Sequence, residues 1–141
     1  MKISLIITTY NRPGALKRVL DGLISQTILP EEIIIADDGS DNNTKTMLQP
    51  FLDQTQINIK HVWHEDIGFR AARIRNMAIA ESNGDYIILL DGDCIPEKHF
   101  IQDHKDLAQK GFFFQGKRVI VNQSFAKIFN HKDCNSKTIL M

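Results

Sequence analysis

Tyr86-Ile87-Ile88-Leu89-Leu90-Asp91-Gly92-Asp93 is the stretch on which the fold turns. Five apolar or aromatic residues in a row suit a strand buried on both faces, as in a parallel sheet. The run then stops on two acids and a glycine. Three other segments repeat that pattern more weakly. Ile3-Ser4-Leu5-Ile6-Ile7 ends in the polar loop Thr8 to Arg12, and Ile33-Ile34-Ile35-Ala36 ends at Asp37-Asp38-Gly39-Ser40. Ile57-Asn58-Ile59-Lys60-His61-Val62-Trp63 alternates and predicts a half-exposed third strand.

Helical periods lie between these strands. Pro13 suits a first helical position, where its missing N–H costs nothing. Leu16, Val19, Leu20, Leu23 and Ile24 follow at helical spacing, which predicts a helix over Pro13–Ser25. Asn43 to Phe51 reads as a short helix. Arg70 to Ser82 reads as a longer one, stopped at Asn83-Gly84. Pro96 to Lys110 is predicted helical, Phe112-Phe113-Phe114 and Val119-Ile120-Val121 strand-like, and 124–130 a last short helix. The tail from His131 is polar and expected to be loose, giving a domain over 1–130 and a tail over 131–141. The alternation of strands and helices predicts an α/β fold, a three-layer α/β/α sandwich around a mostly parallel sheet. Ligands in such sheets sit beyond the carboxyl ends of the strands, where strand order reverses.

Composition narrows the function. The 141 residues carry 17 Lys+Arg and 17 Asp+Glu, so net charge is zero, and 43% are hydrophobic. Bulk electrostatic binding to nucleic acid needs an excess of cations, so no nucleic-acid partner is expected. Cys94 and Cys134 are too few for a disulfide framework or a zinc site, and two reduced thiols suit a cytoplasmic protein. No apolar run approaches a membrane span of ~20 residues. Only Lys2 precedes the first apolar run, which breaks at Thr8-Thr9-Tyr10-Asn11, so no signal peptide is expected.

Each strand end carries chemistry that a plain turn could also explain. Along an extended backbone, residues i and i+2 face one way, so Asp91 and Asp93 can share a site with Gly92 allowing close backbone approach. Two carboxylates without a His or Cys pair suit a hard cation such as Mn²⁺ or Mg²⁺. Asp and Gly are also common turn residues. Asp38 could accept N–H or hydroxyl groups, or Asp37 to Ser40 could be a turn with a helix cap. Thr8, Tyr10, Asn11 and Arg12 offer hydroxyls, amides, a ring and a cation to a nucleotide. They form neither G-x-G-x-x-G nor a P-loop. Arg70 sits at a helix start, where an anion is already favoured, while Arg73 and Arg75 suit a solvated face. His61 and His64 are expected to be partly exposed strand residues, and Cys94 a small buried thiol.

Five segments in order carry a more specific resemblance: Ile6 to Arg12, Ser25-Gln26-Thr27, Ile35 to Ser40, Gly68 to Asn76, and Leu90 to Asp93. Together they resemble the nucleotide-sugar-binding portion of glycosyltransferase family 2, with its Rossmann-like GT-A fold. Gly68 to Asn76 is similar to the galactosyltransferase and chondroitin-polymerase type domains. The resemblance implies a metal-dependent, inverting transfer of a sugar from a nucleotide sugar, a UDP-sugar, to a saccharide or lipid-linked acceptor in surface polysaccharide synthesis. It implies that Thr8 and Tyr10, with Asn11 and Arg12, line the nucleoside pocket. Asp38 would meet uracil N3–H, and Arg70 the base or diphosphate. Asp91 and Gly92 would lie by the ribose or a metal-bound water, and Asp93, with Asp91, would hold Mn²⁺ or Mg²⁺. Gln115, Gly116 and Arg118 would line the floor near the donor sugar. The acceptor half of such relatives is expected to be short or missing here, and no general base is identified among Glu97, Asp103, Asp106 and Asp133. A donor-binding module without its own transferase activity is the alternative. A homo-oligomer, or a peripheral contact at the inner membrane face, stays open.

Overall fold

The computed structural model describes residues 1–54 and 56–134. Four strands, β1 (Ile3–Thr9), β2 (Glu32–Asp37), β3 (Asn58–Trp63) and β4 (Tyr86–Asp91), run parallel in the order β3-β2-β1-β4. Helices α1 (Pro13–Ile24), α2 (Asn42–Asp53) and α3 (Ala71–Ala80) connect them. Beyond β4 come α4 (Phe100–Leu107) and the single turns α5 (Gln123–Ala126) and α6 (His131–Cys134).

Alternation along the strands builds two cores. Leu5 and Ile7 of β1, with Ile33 and Ile35 of β2, pack with Leu16, Val19, Leu20 and Leu23 of α1, Leu48 of α2 and Ile101 of α4. Ile6, Ile34, Ala36 and Val62 point the other way, onto Ile74 and Ala78 of α3. The expected three-layer α/β/α sandwich with a parallel sheet is therefore what forms. The α3 layer stops short of β4: Leu89 pairs with Ile6 in register, yet Leu89 is 53% exposed and Ile87 37%.

Polar groups tie this frame together. Glu32 is buried at the start of β2 and accepts from Ser4 Oγ (2.7 Å) and Asn83 N–H (2.6 Å), with Lys60 Nζ 2.8 Å away. Burial pushes its carboxyl upward, but Lys60 and these hydrogen bonds outweigh that and hold it down at about 2. The buried Gln26 clamps α1 to the segment after β4. Its amide donates to Gly22 O (3.1 Å) and Glu97 O (2.8 Å), and its oxygen accepts from Ile101 N–H (3.1 Å).

The departures from expectation lie mainly after Asp93. The helix expected over Pro96–Lys110 shortens to Phe100–Leu107, because Glu97 first makes a turn that accepts His99 N–H and Phe100 N–H. The strand-like Phe112-Phe113-Phe114 and Val119-Ile120-Val121 form no strand, and most of their side chains are exposed. Apolar content does not make a strand without a ladder partner for the backbone. The 124–130 helix reduces to Gln123–Ala126, and α3 ends at Ala80, before Asn83-Gly84. Within the expected tail, the turn α6 packs on α1, where His131 Cβ would lie 3.3 Å from a Cβ placed on Gly22. Residues 135–141 lie outside those described. Among the described residues, no helix is long and apolar enough to cross a membrane.

Candidate active site at the carboxyl ends of the strands

Strand order reverses between β1 and β4, since the chain runs from β1 out to β3 and returns to β1's other edge. A cleft of 230 Å³ opens at that reversal, lined by Thr8, Thr9, Tyr10, Arg12, Asp91, Gly92, Asp93 and Arg118. A larger hollow of 510 Å³ lies by α1 and the end of α2, but Asp53 is the one charged residue among its lining. The smaller cleft is where convergent ionisable groups meet, and that makes it the candidate site.

Local sequence explains why these groups converge. Gly92 N–H donates to Thr8 O at 2.8 Å, and a Cβ at residue 92 would sit 2.8 Å from that same oxygen. Only glycine lets the end of β4 close onto β1. The turn that follows brings ligand atoms of Asp91, Asp93 and Cys94 within 4.8 Å of one another. Both acids are exposed and each faces a guanidinium. Arg12 Nη1 is 2.9 Å from Asp93 Oδ2, and Arg118 Nη1 is 3.1 Å from Asp91 Oδ2. Exposed pairs of this kind hold on the order of 0–1 kcal/mol, so an incoming cation displaces them at little cost. Two carboxylates at one point fit a hard divalent ion. Burial pushes the Cys94 thiol up, with Asp93 and Asp91 adding to it against Arg118, so sulfur stays protonated at neutral pH.

The loop after β1 is stitched to the loop after β2. Asn11 adopts φ +47°, a conformation asparagine tolerates, and receives Asp41 N–H on Oδ1 (2.8 Å) while donating its own N–H to Ser40 Oγ (2.8 Å). Tyr10 is exposed and donates to Asp66 (2.9 Å), a bond that raises its hydroxyl's pKa. Gly39 has φ +94°, and a Cβ there would meet Asp66 Cα at 2.6 Å, so the β2–α2 and β3–α3 loops touch backbone to backbone.

Asn11, Asp38 and Arg70 do not line this cleft. Asp38 is buried, and its oxygens accept from His64 Nε2 (2.6 Å) and Arg70 N–H (2.9 Å). Arg70 caps the start of α3 and donates a side-chain N–H to Glu65 O, while its buried Nε has no partner. Asp37 faces His61 Nε2 at 2.9 Å and accepts from Ser40 N–H. Burial pushes its carboxyl up, but these donors outweigh that and lower it. Arg75 Nε donates to Thr8 Oγ1 (3.2 Å), so it is not merely solvated.

His64 differs most from expectation. It lies past the end of β3, is buried rather than partly exposed, and uses both ring nitrogens. No periodic signal marks it, because its burial depends on loops distant in sequence. Arg118 reaches the cleft, whereas Gln115 and Gly116 do not line it. None of Glu97, Asp103, Asp106 and Asp133 lines it either.

This fold and cleft define a domain of the GT-A type, a three-layer α/β/α unit with paired acids at a sheet's switch point. The chain belongs to glycosyl transferase family 2, whose model matches residues 4–139. It is 34% identical over 106 residues to the chondroitin synthase of Escherichia coli, a match covering 74% of this chain and 15% of that protein. Its fold is like that of the Pyrobaculum calidifontis mannosyltransferase PcManGT in complex with GDP-Man and Mn²⁺, at a TM-score of 0.67 and 21% identity over 77% of this chain and 33% of that one. It is also like S. aureus TarS 1-349 in complex with UDP-GlcNAc, at 0.62 and 23% over 75% and 30%. The chain thus spans only a minor part of the length of each relative.

Proposed function

We propose that this chain is the donor-binding portion of a metal-assisted glycosyltransferase. It takes a sugar from a nucleotide sugar, with a UDP-sugar as the favoured donor, to a saccharide or lipid-linked acceptor in surface polysaccharide synthesis on the cytoplasmic side of the membrane. The observation that carries this reading is the convergence of Asp91 and Asp93 with the Thr8–Arg12 loop in one cleft. The GDP-Man and Mn²⁺ of the mannosyltransferase, the UDP-GlcNAc of TarS and the polymer made by the chondroitin synthase support it by likeness.

Asp93 and Asp91 would hold Mn²⁺ or Mg²⁺, which supplies Lewis-acid stabilisation to a diphosphate leaving group. Thr8, Tyr10, Asn11 and Arg12 would surround the nucleoside and diphosphate, and Gly92 would let the donor lie close to the backbone. Arg12 and Arg118, released from the acids, would turn their guanidiniums to phosphate oxygens. Asp38 would accept from the base, with Arg70 beside it. In the transfer the bond from the anomeric carbon to diphosphate oxygen breaks as a bond to the acceptor oxygen forms. The acceptor's hydroxyl proton must pass to a base, and no third acid lines the cleft. That observation favours a second reading, a donor-binding module whose acceptor site and base come from elsewhere.

A thermal-shift screen of nucleotide sugars with and without Mn²⁺ tests the donor assignment, because a ligand of the native state raises its melting point. A Mn²⁺-dependent shift with UDP-sugars supports it, and no shift with any nucleotide sugar overturns it. Transfer to a saccharide acceptor then separates the enzyme from the module.

A further inference from the structure

Between the β2–α2 and β3–α3 loops the buried contact is polar. Asp38 is 3% exposed and His64 7%. His64 Nε2 stands 2.6 Å from Asp38 Oδ1, and His64 Nδ1 stands 3.0 Å from Arg73 Nη1. A guanidinium only donates, so Nδ1 must offer its lone pair. The ring proton is then on Nε2 and points to Asp38. Arg70 N–H fills one site on the other carboxylate oxygen. Each oxygen has two lone pairs, so one acceptor site remains on each.

We infer that His64, its tautomer set by Arg73, is a positioning residue that fixes the Asp38 carboxylate to accept an imino N–H from the donor's nucleobase. The inference rests on the placing of Asp38 at the base under the proposed function. Uracil N3 and guanine N1 carry such a proton. Cytosine N3 and adenine N1 carry a lone pair, which a fixed carboxylate repels. The ligand class is therefore nucleoside diphosphates with an imino N–H. Arg73 is exposed at its position on α3, so the donor to Nδ1 can be removed without opening the core.

Calorimetric titration with UDP, CDP and Mn²⁺-pyrophosphate tests this. His64→Ala is expected to weaken UDP about tenfold or more and to erase its preference over CDP, while pyrophosphate binding stays within about twofold. His64→Gln restores most of the UDP affinity, because its amide can donate to Asp38 and accept from Arg73. Arg73→Ala shows the same sign at about threefold and keeps the test open if His64→Ala does not fold. UDP and pyrophosphate weakening together in His64→Ala, or unchanged UDP binding in Arg73→Ala, overturns the inference. Asp38→Asn separates the two layers. If it weakens UDP while the His64 and Arg73 variants do not, only the positioning role falls. If it leaves UDP unchanged, the base assignment falls as well.

Discussion

Asp91 and Asp93 are single residues whose neighbours decide what they can do. Each is exposed and matched to an exposed arginine, so removing either leaves no buried charge unpaired. Asp93→Ala should therefore leave the melting temperature near that of the parent, while Mn²⁺-dependent UDP affinity falls about tenfold or more. Titration with and without Mn²⁺ checks this, and equal UDP affinity in both proteins would remove Asp93 from the metal site. Glu32 is the opposite kind of acid, buried and held by Ser4, Asn83 and Lys60. Its folded pKa of about 2 lies below the ordinary 4.5, so its stabilisation is complete above pH 4.5 and drains away as pH falls toward 2. The amount at stake is on the order of 3 kcal/mol, and Asp37, also lowered, acts in the same direction. Urea midpoints between pH 5 and pH 2 should fall steeply in the parent and less steeply in Glu32→Gln. The proximity of Asp91 and Asp93 was legible in the sequence, but a turn after β4, closed by Gly92 on β1, makes it, not the extended backbone that the i, i+2 spacing assumed. The Arg73–His64–Asp38 contact was not legible, because two loops distant in sequence and the first turn of α3 create it.

At the scale of elements, helix and strand runs showed themselves where both faces of a strand are buried. β1 and β2 stand out as apolar runs because helices cover both their faces, whereas β4, read as buried on both faces, is an edge strand with Ile87 and Leu89 exposed on one side. Segments past β4 misled, since Phe112 to Val121 has strand-like composition but no partner ladder among the described residues. Ser25-Gln26-Thr27 was legible only as a likeness. Its physical reason is the Gln26 clamp, which joins the end of α1 to the chain leaving the candidate site. Gln26→Ala strips one acceptor and two donated bonds from backbone groups, of which Gly22 O and Ile101 N–H belong to buried residues, and should cost about 2–3 kcal/mol. Chemical denaturation measures that loss. A cost within about 0.5 kcal/mol would show the clamp to be slack. Because the clamp also seats Glu97 and Ile101, the same variant should loosen the turn that carries Asp93 and weaken Mn²⁺-dependent UDP binding.

At the scale of the molecule, among the described residues both β3 and β4 are edges of the sheet, and β4 is the edge whose apolar face lies uncovered. β4 bonds to β1 alone among the described residues, its Ile87 and Leu89 see solvent, and Phe112, Phe113 and Ile120 are exposed further along the chain. The chain is also isoelectric near neutrality, at pI ≈ 7.0. An open ladder with a greasy side and no net repulsion is a colloidal hazard. Concentrated solutions of the isolated chain should scatter light most strongly around pH 7 and clear on either side. Leu89→Lys, which plants a charge on that flank, should delay the turbidity. If scattering is indifferent to both pH and the lysine, the stickiness originates elsewhere. Handling the protein would then depend less on buffer choice than on whatever surface is responsible.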